Sequence, residues 1–189
     1  ALHKKTLAVD FTLTTKLSLA AQLCSTMVAI SDLNLIHRDI KSSNVLLFAT
    51  NGRVHAKLAD FGLTKMVNES TMSGGATPKG TPPYMAPELF RGIVVFVFYC
   101  FNCCLILMIT SISIVSGEYS TASDMYAFAV LLNELLTEQV PFPNRSYVEI
   151  VQSVGTFRMR PVAFAAELSD PLGCELVGLI ARCWHQDPA

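Results

Sequence analysis

Charge is scarce in this sequence. Of its 189 residues only 15% are Asp, Glu, Lys or Arg, against roughly 25% in an ordinary soluble domain. The 14 basic and 15 acidic residues leave a net charge of -1, which excludes an electrostatic case for nucleic acid as a partner. Internal repeats and low-complexity linkers are missing, and no charged segment with a cleavage site marks a secretory leader. A disulfide framework is missing too. Cys100, Cys103 and Cys104 crowd one apolar stretch, while Cys24, Cys174 and Cys183 stand apart. Cys100-x-x-Cys103 has the spacing of a metal or redox pair, but no second pair or nearby His completes it. Buried thiols in a reducing compartment, and so a cytoplasmic protein, are expected. With Ala1 in place of Met, the sequence reads as a piece of a longer chain.

Apolar residues are what is abundant: 51% of the chain, with a mean hydropathy of +0.43. The length suits one domain with a sizeable core. Residues 14–31 carry Leu19, Leu23, Met27 and Ile30 on one stripe, which predicts an amphipathic helix after a Thr-rich start. The polar segment LNLIHRDIKSSN follows and reads as a loop too polar for the core. The run 45–48, the turn Thr50-Asn51-Gly52-Arg53 and the run 54–58 predict a β-hairpin, because Asn-Gly tolerates positive φ. From about 64 to 83 a Gly/Ser/Thr/Pro-rich stretch predicts a long loop. Residues 120–138 predict a strong helix ended by Pro141 and Pro143, with weaker helices near 146–154 and 173–184.

Three features occur in a fixed order: His37-Arg38-Asp39-Ile40-Lys41-Ser42-Ser43-Asn44, then Asp60-Phe61-Gly62, then Gly80-Thr81-Pro82-Pro83-Tyr84-Met85-Ala86-Pro87-Glu88. Phosphoryl transfer from a nucleotide needs Mg²⁺ on oxygen ligands, a carboxylate to orient the attacking hydroxyl and a cation near the moving phosphate. Asp39, Lys41, Asn44 and Asp60 supply those groups on two loops joined by the hairpin. Singly, each has a plainer explanation: a loop Asp or Asn commonly caps a turn, and a Lys is commonly solvated. The combination and its spacing set that explanation aside.

These motifs resemble the catalytic loop, metal-binding loop and Ala-Pro-Glu segment of eukaryotic protein kinases, and the likeness covers nearly all of the chain except 92–116. It implies an α+β, protein-kinase-like fold, specifically the mainly helical C-terminal lobe with a small β-hairpin and without the N-terminal lobe. It implies ATP and Mg²⁺ as cofactors and a protein as substrate. Asp39 would be the catalytic base, and Lys41 would neutralise charge on the transferred phosphate. Asn44 and Asp60 would hold the metal, and Leu46 would lie under the adenine. Thr81 would face the substrate. His37 and Phe61 would join the column linking the lobes, Glu88 would be a structural carboxylate, and Asp124 would hold the catalytic-loop backbone. Arg38 implies control by phosphorylation, with Ser70, Thr71, Ser73 and Thr77 as candidate acceptors. Lys41 two residues after Asp39, with Gly80-Thr81, resembles Ser/Thr kinases. The Ile-Lys-Ser-Ser-Asn-Val-Leu-Leu wording and Cys183-Trp184…Asp187-Pro188 resemble the tyrosine-kinase-like group of them.

Two departures from the family stand out. No Gly-rich phosphate loop or strand Lys precedes the first helix, so the expected partner is the kinase's own missing N-lobe, and these 189 residues alone are expected to be inactive. The Arg with which the family pairs Glu88 lies beyond Asp-Pro, leaving Arg182 as the substitute within this sequence. The second departure is 93–115, 23 residues without a charge, long enough to cross a bilayer. One crossing there would separate elements that a kinase lobe packs together. Deleting 92–116 restores seamless kinase sequence, and 15 of the 23 residues are Phe, Leu, Ile, Met or Val, whose codons carry U in the middle. A translated intron is therefore expected, with a transmembrane helix as the alternative. A pseudokinase scaffold and a membrane-anchored receptor-like kinase are the rival functional readings. All four catalytic-type residues are present, against the first, and no ectodomain is visible, against the second.

Overall fold

The computed structural model describes residues 11–67, 79–90, 119–162 and 171–185. The 92–116 insertion and the candidate acceptors Ser70, Thr71, Ser73 and Thr77 lie outside the described residues, as do Cys100, Cys103 and Cys104.

Helix α1, Leu13–Asp32, is started by Thr12, whose hydroxyl accepts from the Thr15 N–H. Its buried residues are Leu19, Ala20, Leu23, Met27 and Ile30, the stripe expected from the sequence. Among the described residues α1 is the one helix long and apolar enough to cross a membrane. Its stripe instead packs on the hairpin and on the central helix. Gln22 binds the hairpin edge, donating to Val54 O (3.3 Å) and accepting from Ala56 N (3.0 Å).

Strands β2 (Val45–Thr50) and β3 (Arg53–Leu58) pair antiparallel from Val45↔Leu58 to Thr50↔Arg53, which leaves a two-residue loop. Asn51 (φ 51°) and Gly52 (φ 72°) are both left-handed, as the tight hairpin turn that matches strand twist requires. A second sheet escapes sequence reading: β1 (Leu35–Ile36) pairs with β4 (Lys65–Met66). Two-residue strands are too short to show an alternating pattern. The long loop expected over 64–83 is thus tied down at its start.

The central helix α2, Thr121–Thr137, is capped by a reciprocal pair of bonds between Ser120 and Ser123. It stops at Glu138, left-handed at φ 57°, before Pro141 is reached. Every residue from Tyr126 to Leu136 is buried. Lys16 of α1 closes its end, donating to Leu136 O (2.9 Å) and pairing with Glu138 (2.9 Å). Helix α3, Tyr147–Val151, is capped by Ser146 and Glu149 and runs into a wider turn at Gln152–Thr156. Helix α4, Pro171–Cys183, packs against α2. Cys24 and Cys183 are half-buried free thiols, whereas Cys174 is exposed, contrary to the expectation that the cysteines are buried.

Leu132 is 1% exposed within α2. Leu132→Ala is expected to cost about 2–5 kcal/mol, as truncation of a packed core Leu does. Leu33→Ala, at a position 64% exposed, is expected to change stability by less than about 0.5 kcal/mol. Urea denaturation of the two variants checks both.

Candidate active site

The segment 35–44 is not the solvated loop its polarity suggests. Ile36, His37, Asp39, Ile40, Ser42 and Asn44 are all buried. Most of their polar groups find a partner, as burial requires; His37 Nε2 is buried without a hydrogen bond. Asp124, in the first turn of α2, accepts from the backbone N–H of His37 (2.6 Å) and of Arg38 (2.9 Å). Burial pushes the Asp124 carboxyl up, and these two backbone bonds work against that rise. Arg38 itself is left-handed at φ 69°, a conformation costing roughly 1–2 kcal/mol in a non-glycine residue. The bonds to Asp124 hold it there. Gly80 comes close behind: a Cβ on it would stand 3.0 Å from Arg38 O, and its φ of 122° suits glycine alone.

Asp39 gathers the next set of residues. Lys41 Nζ donates to its Oδ2 (2.6 Å), Thr81 Oγ1 donates to its Oδ1 (2.8 Å), and Asn44 Nδ2 donates to its backbone O (2.8 Å) and Oδ2 (3.2 Å). Lys41 Nζ also donates to Thr81 Oγ1 (2.9 Å), closing a triangle. Burial alone would raise the Asp39 pKa. The hydrogen bonds from Lys41 and Thr81, the Lys41 charge and the Asn44 amide outweigh burial and hold the carboxyl below its ordinary value. Asp39 is therefore a carboxylate at neutral pH, able to accept and orient a hydroxyl proton.

The hairpin sets Asn44 and Asp60 at one end. Its ladder closes with Ala59 N–H donating to Asn44 O (2.8 Å), so the two residues leave the same end of the two strands. Asp60 is left-handed at φ 64°, exposed, and accepts from Gly62 N (3.3 Å). Since Asn44 spends its N–H groups on Asp39, the amide oxygen is the face left to ligate. One carboxylate and one amide oxygen suit Mg²⁺, which takes few protein ligands and completes its shell with water and phosphate. Among the described residues no cluster of three or more His, Cys, Asp or Glu forms a self-sufficient metal cage. The donor set thus fits a metal that arrives with a nucleotide.

The other expected residues fall as follows. Leu46 is 56% exposed on β2 and His37 is fully buried, 4.8 Å from the Phe61 ring. Arg38 donates to Leu63 O (2.7 Å) and lies 5.2 Å from the centre of the Tyr119 ring. Glu88 is buried in the Pro87–Phe90 turn, where its charge raises the pKa of buried Tyr126 further. Glu88 is engaged, and Arg182 lines the groove between α1 and α4 with Leu17, Cys24 and Leu176. Sequence reading missed Ser42, Tyr84 and Glu134, which form a buried cluster. The one available signal was a Glu inside the otherwise apolar run of α2.

The depressed Asp39 pKa has a testable sign. Its charge stabilises the folded state above the unfolded carboxyl value of about 4, and that contribution is lost as pH falls through the lower folded value. Lys41→Met is expected to raise the Asp39 midpoint, read from its carboxyl ¹³C shift against pH. An unchanged midpoint would exclude Lys41 as the cause.

The protein kinase domain family matches residues 4–189. A probable serine/threonine-protein kinase of Dictyostelium discoideum is 31% identical over 188 residues, 100% of this chain and 17% of the relative. A light-sensor protein kinase of Ceratodon purpureus is 32% identical over 170 residues, 82% of this chain and 11% of the relative. The serine/threonine-protein kinase PkaA of Streptomyces coelicolor is 29% identical over 171 residues, 90% of this chain and 26% of the relative. The chain spans between about a tenth and a quarter of the length of these relatives. With that match across a site of this geometry, the chain belongs to the protein kinase domain family.

Proposed function

We propose that the protein of which this chain is part transfers the γ-phosphate of ATP to Ser or Thr hydroxyls of protein substrates. The observation that carries this reading is the triangle of Asp39, Lys41 and Thr81, with the Asn44 amide on the same carboxylate. Asp39 orients the incoming hydroxyl and accepts its proton as the new P–O bond forms. Its lowered pKa makes it a weak base, which suits a step whose charge development lies mainly on the phosphoryl group. Lys41, already against Asp39, meets the negative charge of that group. Asn44 and Asp60 would hold Mg²⁺, which would supply positive charge to offset that of the phosphates. Leu46 offers an exposed apolar surface for the adenine, and Thr81 sits where a substrate hydroxyl would approach.

Lys41 and Thr81 favour Ser/Thr over Tyr substrates, and the wording around them favours the tyrosine-kinase-like group. Arg38 and the acceptors Ser70, Thr71, Ser73 and Thr77 would give phosphorylation control over the Thr81 segment. The free thiols fit a cytoplasmic location. A catalytically complete nucleotide site also needs a Gly-rich loop and a strand Lys, which residues 1–189 do not supply, so these residues alone would turn over poorly.

We read 92–116 as a translated intron. Supporting this, the Tyr119 hydroxyl donates to Lys79 O, and α2 packs against the Pro82–Tyr84 turn. The chain on either side of the segment therefore belongs to one packed unit, which a single membrane crossing would divide.

Two experiments test these readings. The complete protein is expected to label a generic protein substrate with phosphate from ATP on Ser and Thr, and Asp39→Asn should lower kcat about 10²–10⁴-fold. Equal rates for the two would sink the assignment of Asp39. Sequencing transcripts across codons 92–116 is expected to find a message lacking all 25. Unspliced message alone, in every condition sampled, would count against the intron.

A further inference from the structure

The stretch from 139 to 162 carries three arginines and one glutamate, in a chain whose net charge is -1. The same stretch exposes Val140, Tyr147, Phe157, Met159 and Val162, all large apolar side chains. Positive charge and exposed apolar surface thus coincide, and an apolar patch rimmed by polar residues is the mark of an interaction site. Between them lies a groove of about 160 Å³. Val140, Phe142 and Pro143 line it from the chain after α2, and Met159, Pro161 and Val162 from the chain after α3. The second set is fastened to α2, because Asn133 Nδ2 donates to Val162 O (3.0 Å).

The surface is held in shape before anything binds. Phe157 N donates to Gln152 O (2.9 Å) and Met159 N to Ser153 O (2.7 Å). Between those two bonds Arg158 is left-handed at φ 54°, a conformation unfavourable for a residue with a side chain. Strain of this kind gathers at binding surfaces. Arg145 is fixed as well: its guanidinium donates to Ser153 Oγ and lies 5.6 Å from the centre of the Phe142 ring. Among the described residues neither Arg145 nor Arg158 forms an ion pair. Glu149, the one acidic residue of the stretch, is spent on the α3 cap, accepting from Ser146 N (2.7 Å) and Ser146 Oγ (2.7 Å). Two cations at the edge of an apolar groove therefore lack a partner of opposite sign.

We infer that this groove docks a protein partner through an acidic segment, which sets one large apolar side chain among Val140, Met159 and Val162 and its carboxylates against Arg145 and Arg158. The complementary charge selects the segment, and the apolar anchor supplies most of the contact. A surface already fixed by its own backbone bonds loses little freedom on binding. The groove shares no lining residue with the cavity beside Asp39, so the inference goes beyond the kinase reading and does not depend on it.

The test pans the complete protein against a displayed library of random short peptides, with Val162→Glu and Arg158→Glu as comparison proteins. Both positions are exposed, so both variants are expected to melt as the wild type does; were Val162→Glu to fail to fold, Arg158→Glu decides alone. The recovered peptides are expected to carry a large apolar residue flanked by Asp or Glu. They should bind the wild type at least about ten-fold more tightly than either variant and weaken as salt is raised. Replacing their acidic residues with Lys should restore binding to Arg158→Glu. Peptides of any other composition, or equal affinity for wild type and variants, overturn the inference, as does a library that yields no binder. A dimer of the protein that Val162→Glu dissolves in sedimentation would give the groove to a second copy of the chain and overturn it too. Phosphate transfer to a short peptide should be unchanged in both variants. A wild type that binds the selected peptides but transfers no phosphate would sink the kinase reading and leave the docking site standing.

Discussion

Two backbone N–H groups, those of His37 and Arg38, end on the single carboxylate of Asp124, and the arrangement of the site follows from that attachment. A segment as polar as 37–44 would ordinarily stay in water, because each unmet polar group taken into the core costs about 1–3 kcal/mol. Asp124 meets two of those groups from the first turn of a helix that is mostly apolar. The loop is thereby drawn onto the core, and Arg38 is kept in a left-handed conformation it would not choose alone. Asp39, the next residue, then projects from an anchored backbone. A carboxylate on a free loop could approach the same partners, but it would have to order itself at each encounter.

Electrostatics at the site come from the same anchoring. Asp39 is buried enough that its charge should be disfavoured, yet Lys41, Thr81 and Asn44 all donate to it and reverse the balance. Those donors reach it from two directions: Lys41 and Asn44 from further along its own loop, Thr81 from the turn after Gly80. Gly80 is what lets that turn approach, since a side chain there would press on Arg38 O. The geometry brings a proton acceptor, a cation and a hydroxyl within hydrogen-bond distance of one another, while the hairpin presents Asn44 and Asp60 from its end. Positioned charge with little covalent chemistry is what phosphoryl transfer demands of a protein.

Polarity and placement diverge most clearly in α2. Its apolar residues make it the centre of the core, while three of its buried polar residues, Asp124, Asn133 and Glu134, bond to segments outside the helix rather than to solvent. A helix with a continuous apolar surface makes a rigid support. Carboxylates placed along it can then hold separate segments of the chain at fixed separation.

Local patterns in the sequence determined the elements that depend on near neighbours. The stripe of α1, the Asn51-Gly52 turn and the serine-capped start of α2 each follow from interactions within a few residues. Asp39, Lys41, Asn44 and Asp60 were legible as a chemical set because their spacing is itself local to two loops. What the sequence could not determine was anything that needs segments far apart to meet. The pairing of β1 with β4, the burial of a loop that looks solvated, the placing of Thr81 on Asp39 from 42 residues away and the meeting of Ser42, Tyr84 and Glu134 were decided by tertiary structure. A buried polar group looks, letter by letter, like an exposed one, and only the partner brought to it by folding makes its burial affordable.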